Sequence, residues 1–260
     1  MAEAPALSAT AEIARRHDPD RFLCALFAPA ERRETVFTLI AFNHELARAR
    51  EVAREPLMAL IRLQWWRETV EEAVAEKPAR RHEVAEPLSR EIRAGGLDPA
   101  ALLLMVEARE EAETGEEAVP LAERLRGTAG AMALETGRIL GAPEGSLEGL
   151  RRIGTAYGLA GTLRSLAALA AQERDPLPPG RDPAEAARDL ASEGLALLEE
   201  GRRSLSSLPR QAVAAALPAV LARRDLRRVL RPGWQPGTPP APRGLGDRLA
   251  VTWAGWRGRV

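Results

Sequence analysis

An all-α helical bundle is the fold class that this sequence predicts, and three observations predict it. Ala, Leu, Arg and Glu dominate, while aromatic residues make up only 4% of the chain; the favoured side chains lose little rotamer freedom in a helix. No run shows the apolar–polar alternation that a half-buried strand requires. Proline and glycine fall mostly at places where helices begin and end.

Taken in order, Asp18-Pro19 opens a short helix that runs to Phe27 and Ala28-Pro29 closes it. A long helix follows from Ala30 to Ala53. Glu55-Pro56 ends it and opens the next, through Trp66 to about Ala75, because proline tolerates only the first helical turn. Pro87 to Ala94 is a short helix stopped by Gly95-Gly96. Asp98 caps and Pro99 starts a helix to Glu113. Leu121 to Leu140 is another, closed by Gly141; Ser146 to Gln172 is long; Asp182-Pro183 starts one reaching Leu205. Arg210 to Val229 comes next, with a kink at Pro218. Arg231 to Gly246 holds five prolines and four glycines in sixteen residues, a loop or linker. Asp247 to Val260 is a short helical tail with Trp253 and Trp256.

A chain of 260 residues buries one large core, so a single domain is expected over 1–230, then the linker 231–246 and the tail 247–260. Basic and acidic residues both number 37, so no global field attracts nucleic acid. The lone cysteine, Cys24, excludes an intrachain disulfide and reads as a small buried residue. The first residues include Glu3 and Pro5 and no apolar stretch, so no secretory signal is expected. No apolar run reaches the ~18–20 residues of a spanning helix. The expected location is cytoplasmic, with peripheral attachment at the inner membrane as a variant of it.

Two helices carry the functional signal. On the first long helix Val36, Leu39, Ile40, Asn43, Ala47 and Arg50 follow helical spacing, so one stripe turns from apolar to polar along its length. A polar inward end is costly unless partnered, which implies a cavity or a buried hydrogen-bond network. On the helix from Ser146, the residues Gly154, Gly158, Gly161, Ser165 and Ala168 form a stripe of small side chains. Such a stripe permits close helix approach or leaves room for an alkyl chain.

The segment Arg15-Arg16-His17-Asp18-Pro19-Asp20-Arg21-Phe22, then Pro29, Arg33 and Ala41-Phe42-Asn43-His44-Glu45-Leu46, resembles the squalene/phytoene synthase family. So does Arg62-Leu63-Gln64-Trp65-Trp66-Arg67-Glu68, at the distance that family uses. Weaker echoes are Gly127-Thr128-Ala129-Gly130, Gly158-Leu159-Ala160, Leu177-Pro178 and Leu217-Pro218. The resemblance implies the isoprenoid-synthase helical bundle. It also implies, for active members, head-to-head condensation of prenyl diphosphates on Mg²⁺ held by two aspartate-rich motifs.

This chain departs from that pattern. Where the resemblance implies Asp-Asp-x-x-Asp stand Ala47-Arg48-Ala49-Arg50-Glu51. At the second motif the corresponding positions are Thr162, Ser165 and Ala168-Leu169, with Glu173 as a later acid. No aspartate occurs between Asp20 and Asp98, nor between Asp98 and Asp175. The stretch resembles the branch known in mitochondria as a respiratory complex I assembly factor.

Several groups have plainer readings. Trp65-Trp66 reads first as core packing. Glu68 with Glu72, and Glu107 with Glu111, read as ion-paired solvated faces rather than metal ligands. His17, His44 and His82 lack zinc spacing, and His17 caps or packs before a helix start. The candidate pocket or anion-binding set is Asn43, Arg48, Arg50, Glu51, Arg62, Gln64, Arg164 and Ser165. No catalytic residue, metal ligand or cofactor is expected. The expected role is a non-catalytic assembly or scaffold factor whose partner is another protein, by analogy a respiratory-complex subunit. The alternatives are a prenyl transferase with atypical metal ligands and an isoprenoid-binding protein; peripheral membrane contact is compatible with each.

Overall fold

The computed structural model describes residues 6–53, 55–114, 119–172 and 174–260. Every regular element among them is helical, as the composition predicts, and the contacts divide the chain into two compact units, Met1–Gly115 and Glu116–Val260. No helix among the described residues is long and apolar enough to cross a membrane.

The first unit is built around its longest helix. The elements are α1 (Ala9–His17), α2 (Pro19–Ala25), α3 (Ala30–Glu51), α4 (Pro56–Val74), α5 (Ala85–Arg93) and α6 (Pro99–Thr114). Helix α3 touches all five others. Its middle, from Thr35 to Phe42, is buried on every side, which is why the helix shows little amphipathicity. Leu63 and Trp66 of α4, Leu88 of α5, and Leu102 and Met105 of α6 are buried with it. Trp66 is 4% exposed, so the core-packing reading of this tryptophan holds. Asp98 Oδ1 accepts the Ala100 N–H at 3.0 Å, the cap expected for α6. Gly95 closes α5 at φ +71°, a conformation that costs glycine little and other residues more.

Helix α1 was missed in the sequence because its apolar stripe is made of Thr10, Ala11 and Ala14. Its start was nevertheless legible: Ser8 accepts the Ala11 N–H at 3.1 Å. His17 therefore ends one helix instead of only preceding another.

The second unit comprises α7 (Leu121–Leu125), a π turn (Arg126–Gly130), α8 (Ala131–Ile139), α9 (Glu144–Ala170), α10 (Pro183–Arg203), a 3₁₀ turn (Arg210–Ala212), α11 (Val213–Ala216), α12 (Pro218–Val229) and α13 (Leu245–Arg257). The single helix expected over 121–140 is thus interrupted by a π turn. The kink expected at Pro218 separates α11 from α12. The tail helix starts two residues before the expected boundary of Asp247.

Helix α9 is the axis of this unit, lying against α8, α10, α12 and the π turn. Glycines set its closest approaches. A Cβ on Gly154 would meet the Ala129 carbonyl oxygen at 2.4 Å, and one on Gly149 the Gly201 carbonyl oxygen at 2.8 Å. The small-residue stripe therefore has two fates. Gly154 and Gly158 serve close helix approach, whereas Gly161, Ser165 and Ala168 are exposed.

Candidate functional site

The polar half of α3 is partnered from α6. Arg109 of α6 donates from Nη2 to Asn43 Oδ1 at 2.9 Å, and its buried Nε has no partner among the described residues. Burial, reinforced by the charge of Arg21 and opposed by Glu51, pushes the Arg109 guanidinium down to about 10. One helical turn further along α3 from Leu46, Arg50 Nε meets Glu113 at 2.9 Å. Arg67 of α4 is held by Glu110, which raises its pKa further. The expected polar network exists, part-buried, and three of its six members are arginines.

His44, on the next flank of α3, stacks on His17 with ring centroids 4.1 Å apart and planes 13° apart. Burial lowers the His44 pKa below its usual 6.5, and the charge of His17 lowers it further. His44 is consequently held toward its neutral form.

A second feature lies on the other side of α3. Glu45, Arg48 and Ala49 of α3, Ile61, Arg62, Trp65 and Trp66 of α4, and His82 line a pocket of about 390 Å³. Trp65 and Ile61 also wall a shallower hollow of about 580 Å³ with Leu60, Gln64, Glu68 and Glu110. The aromatic wall is fixed from several directions. Trp65 and Trp66 meet edge to face at 4.7 Å, and Trp66 meets Phe42 at 5.6 Å. His82 sits 5.3 Å from the Trp66 ring, and its Nδ1 accepts the Val84 N–H at 3.1 Å. That bond leaves the neutral ring's proton on Nε2. Arg80 lies 5.1 Å over the Trp65 ring and reaches Glu68 and Glu72 at 2.8 and 2.7 Å. Those glutamates are therefore ion-paired, as the plainer reading had it. Beside this wall Val52, Leu57, Met58 and Ile61 stand exposed, an apolar rim at the α3–α4 junction.

The first unit holds six of the candidate residues, in four settings. Asn43 and Arg50 belong to the α6-linked network, and Glu51 is exposed at the end of α3. Arg48 and Arg62 line the pocket. Gln64 lines the adjoining hollow and donates to Glu68 Oε1 at 3.1 Å. The other two lie in the second unit. Arg164 pairs with the buried Asp225 at 3.2 Å and donates to the Ala241 carbonyl oxygen at 3.2 Å. Ser165 is exposed on α9. Glu173 lies outside the described residues. Among the described residues no three His, Cys, Asp or Glu side chains gather closely enough to hold a metal ion.

Arg109, Arg80 and His82 were not anticipated. Arg109 stands among Glu107, Glu110 and Glu111, so the local sequence reads as a solvated charged face. Its inward position follows from α6 lying against α3 and α4, which composition does not encode.

The family model for squalene/phytoene synthase matches residues 14–180, well over half of the chain. The chain belongs to the squalene/phytoene synthase family. A human protein named NADH dehydrogenase (ubiquinone) complex I, assembly factor 6 is 36% identical over 99 residues, 38% of this chain and 29% of its own length. Its homolog in Drosophila melanogaster is 27% identical over 175 residues, 64% of this chain and 52% of that protein. The chain thus spans about half, or less, of these relatives' length. Among solved structures, a dehydrosqualene synthase bound to a ligand superposes with a TM-score of 0.78 at 14% identity, over 95% of this chain and 94% of that one. Squalene synthase HpnC from Alicyclobacillus acidocaldarius gives 0.69 at 18%, over 85% and 91%. At such identities these structures speak for the fold, which is the isoprenoid-synthase-like bundle that the resemblance implied.

Proposed function

We propose that this squalene/phytoene synthase family member is non-catalytic and works by binding, as a factor for assembling a respiratory NADH dehydrogenase complex. The observation that carries the first half is the Asn43–Arg109 bond. Active relatives are expected to carry magnesium-binding aspartates along this part of α3. Here the stripe presents an amide, a methyl group and a guanidinium at Asn43, Ala47 and Arg50. Mg²⁺ takes hard oxygen ligands, carboxylates above all. Two carboxylates brought here by α6, Glu113 and Glu110, already hold Arg50 and Arg67. Arg21 and Arg109 add like charge to a cation. This donor set does not fit magnesium.

The second half rests on the relatives whose names are those of complex I assembly factors. Its physical support is the exposed rim of Val52, Leu57, Met58 and Ile61 beside the Trp65 wall. Aromatic and arginine side chains around a pocket are the groups that carry most of the energy of protein recognition. The same arginines also favour a second reading, in which a prenyl diphosphate binds without metal and is not turned over.

Incubation of the purified protein with prenyl diphosphates and Mg²⁺, followed by product analysis, tests the first half; no condensation product is expected. Turnover to squalene or phytoene that Glu51→Gln abolishes would overturn it. Calorimetry with the same diphosphates, with and without Mg²⁺, tests the second reading, which requires binding indifferent to the metal. For the assembly role, cells lacking the protein should accumulate less assembled NADH dehydrogenase complex, and Trp65→Ser with Ile61→Ser should not restore it. Normal assembly in the deletion strain would end that reading.

A further inference from the structure

Helix α13 is attached to the second unit with its apolar side turned outward. At about 100° per residue, Leu245, Leu249, Trp253 and Trp256 fall within an arc of about 80°, with Arg248 on one flank and Arg257 on the other. These four apolar residues are 78%, 67%, 58% and 65% exposed, while Asp247, Val251, Ala254 and Gly255 on the opposite side are buried. The attachment is specific. Asp247 accepts Arg224 Nε at 2.7 Å and the Gly244 N–H at 3.2 Å, and Arg210 donates to the Trp256 carbonyl oxygen at 2.8 Å. Gly258 caps the end at φ +69°. The outward face is therefore held in its helical form before anything covers it.

We propose that this face lies in the headgroup region of an anionic lipid bilayer, with α13 parallel to the surface. Charge selects this occupant. From Asp225 to Val260 the chain has seven arginines and two acids, Asp225 and Asp247, both buried and paired, Asp225 with Arg228 and Arg243 and Asp247 with Arg224. Arg248, Arg257 and Arg259 make no ion pair among the described residues and flank the apolar arc, so an uninterrupted anionic plane matches them. Tryptophan is the side chain that settles at that depth, with its ring in the acyl boundary and its N–H in water. Trp253 and Trp256 lie 5.4 Å apart on the outer face, with the Arg257 guanidinium 5.7 Å from the Trp253 ring.

The test is co-sedimentation of the full chain with phosphatidylcholine vesicles, with and without phosphatidylglycerol. Binding should need the anionic lipid and weaken with salt. Trp253→Ser with Trp256→Ser should lower vesicle affinity at least about tenfold, since each loses a buried apolar side chain. In the wild type, brominated lipid should quench tryptophan emission, a readout that needs no variant to fold. Absence of binding to anionic vesicles overturns the proposal, as does binding without quenching. A dimer that the double variant converts to monomer, without vesicle binding by either form, also overturns it by assigning the face to a second copy.

Discussion

Arg109 crosses from α6 to donate a hydrogen bond to Asn43 Oδ1, and it does so where the inward stripe of α3 changes from apolar to polar. An arginine half-buried against an amide, with its Nε fully buried, is held by few contacts, and each matters. Asn43→Leu removes the acceptor while leaving the charge, so stability should fall by about 2–3 kcal/mol. Arg109→Met in the same background removes the stranded charge and should recover much of that loss. Urea unfolding of the single and double variants measures both, and equal losses in the two would show that the bond contributes little.

The His17–His44 stack makes stability depend on pH in a defined direction. The folded pKa of His44 lies below the usual 6.5, chiefly through burial and next through His17. Below about 6.5 the unfolded chain binds more protons than the folded one. Stability is therefore full above that pH and declines as the pH falls through it, by at most about 1.4 kcal/mol per pH unit from this group. Urea midpoints between pH 8 and pH 5, compared with those of His44→Gln, should show a flatter slope in the variant.

Two glycines on α9 should respond oppositely to alanine. Gly154 has the Ala129 carbonyl oxygen and the Ala133 Cβ within 2.6 Å of where its own Cβ would stand. Gly154→Ala must push helices apart and should cost about 1–3 kcal/mol. Gly161 has open space around it, so Gly161→Ala should stabilise by about 0.5–1 kcal/mol through helix propensity. Thermal unfolding of the two variants would decide the matter, and a loss at Gly161 would show that its exposed position is occupied in solution.

Asp247 is the inner anchor of α13. Burial acts to raise its pKa, but hydrogen bonds from Arg224 and the Gly244 N–H, with the charges of Arg224 and Arg228, outweigh it and leave it lowered. The anchor's contribution is thus complete above the usual carboxylate value near 3.8 and is lost only as the pH falls through the lowered one. Asp247→Ala should cost about 1–2 kcal/mol, combining a lost cap with a lost ion pair. Hydrogen exchange should then quicken in Leu245–Arg257 ahead of the rest of the unit. Unchanged protection there would mean that the arginine contacts at Trp256 hold the helix alone.

How much was legible depends on the range over which each signal acts. Asp98 with Pro99, Asp182 with Pro183 and Gly95 are local devices, and each marks the helix end that the sequence implied. The polar turn of the α3 stripe was equally readable, because the spacing of Ile40, Asn43 and Ala47 states it. Its partner was not. Arg109 lies 66 residues beyond Asn43, among glutamates that look solvated. His82, in the bend before α5, seemed isolated for the same reason, since its tryptophan neighbours come from α4. The small-residue stripe of α9 misled in one half only. Periodicity shows that Gly154 and Gly161 share a face, but not that Ala129 approaches one of them and leaves the other open.

The π turn at Arg126–Gly130 behaves as a phase shifter in a longer helical rod. Its extra residue in the ring means that α7 and α8, although continuous through it, present faces about 100° out of step with a plain α-helix. With that offset in place Leu125 meets Gly158 and Ala129 meets Gly154. Deleting one residue within Arg126–Gly130 would heal the helix locally and yet rotate Leu121–Leu125 away from α9. A chain could thereby lose one contact surface while becoming more regular.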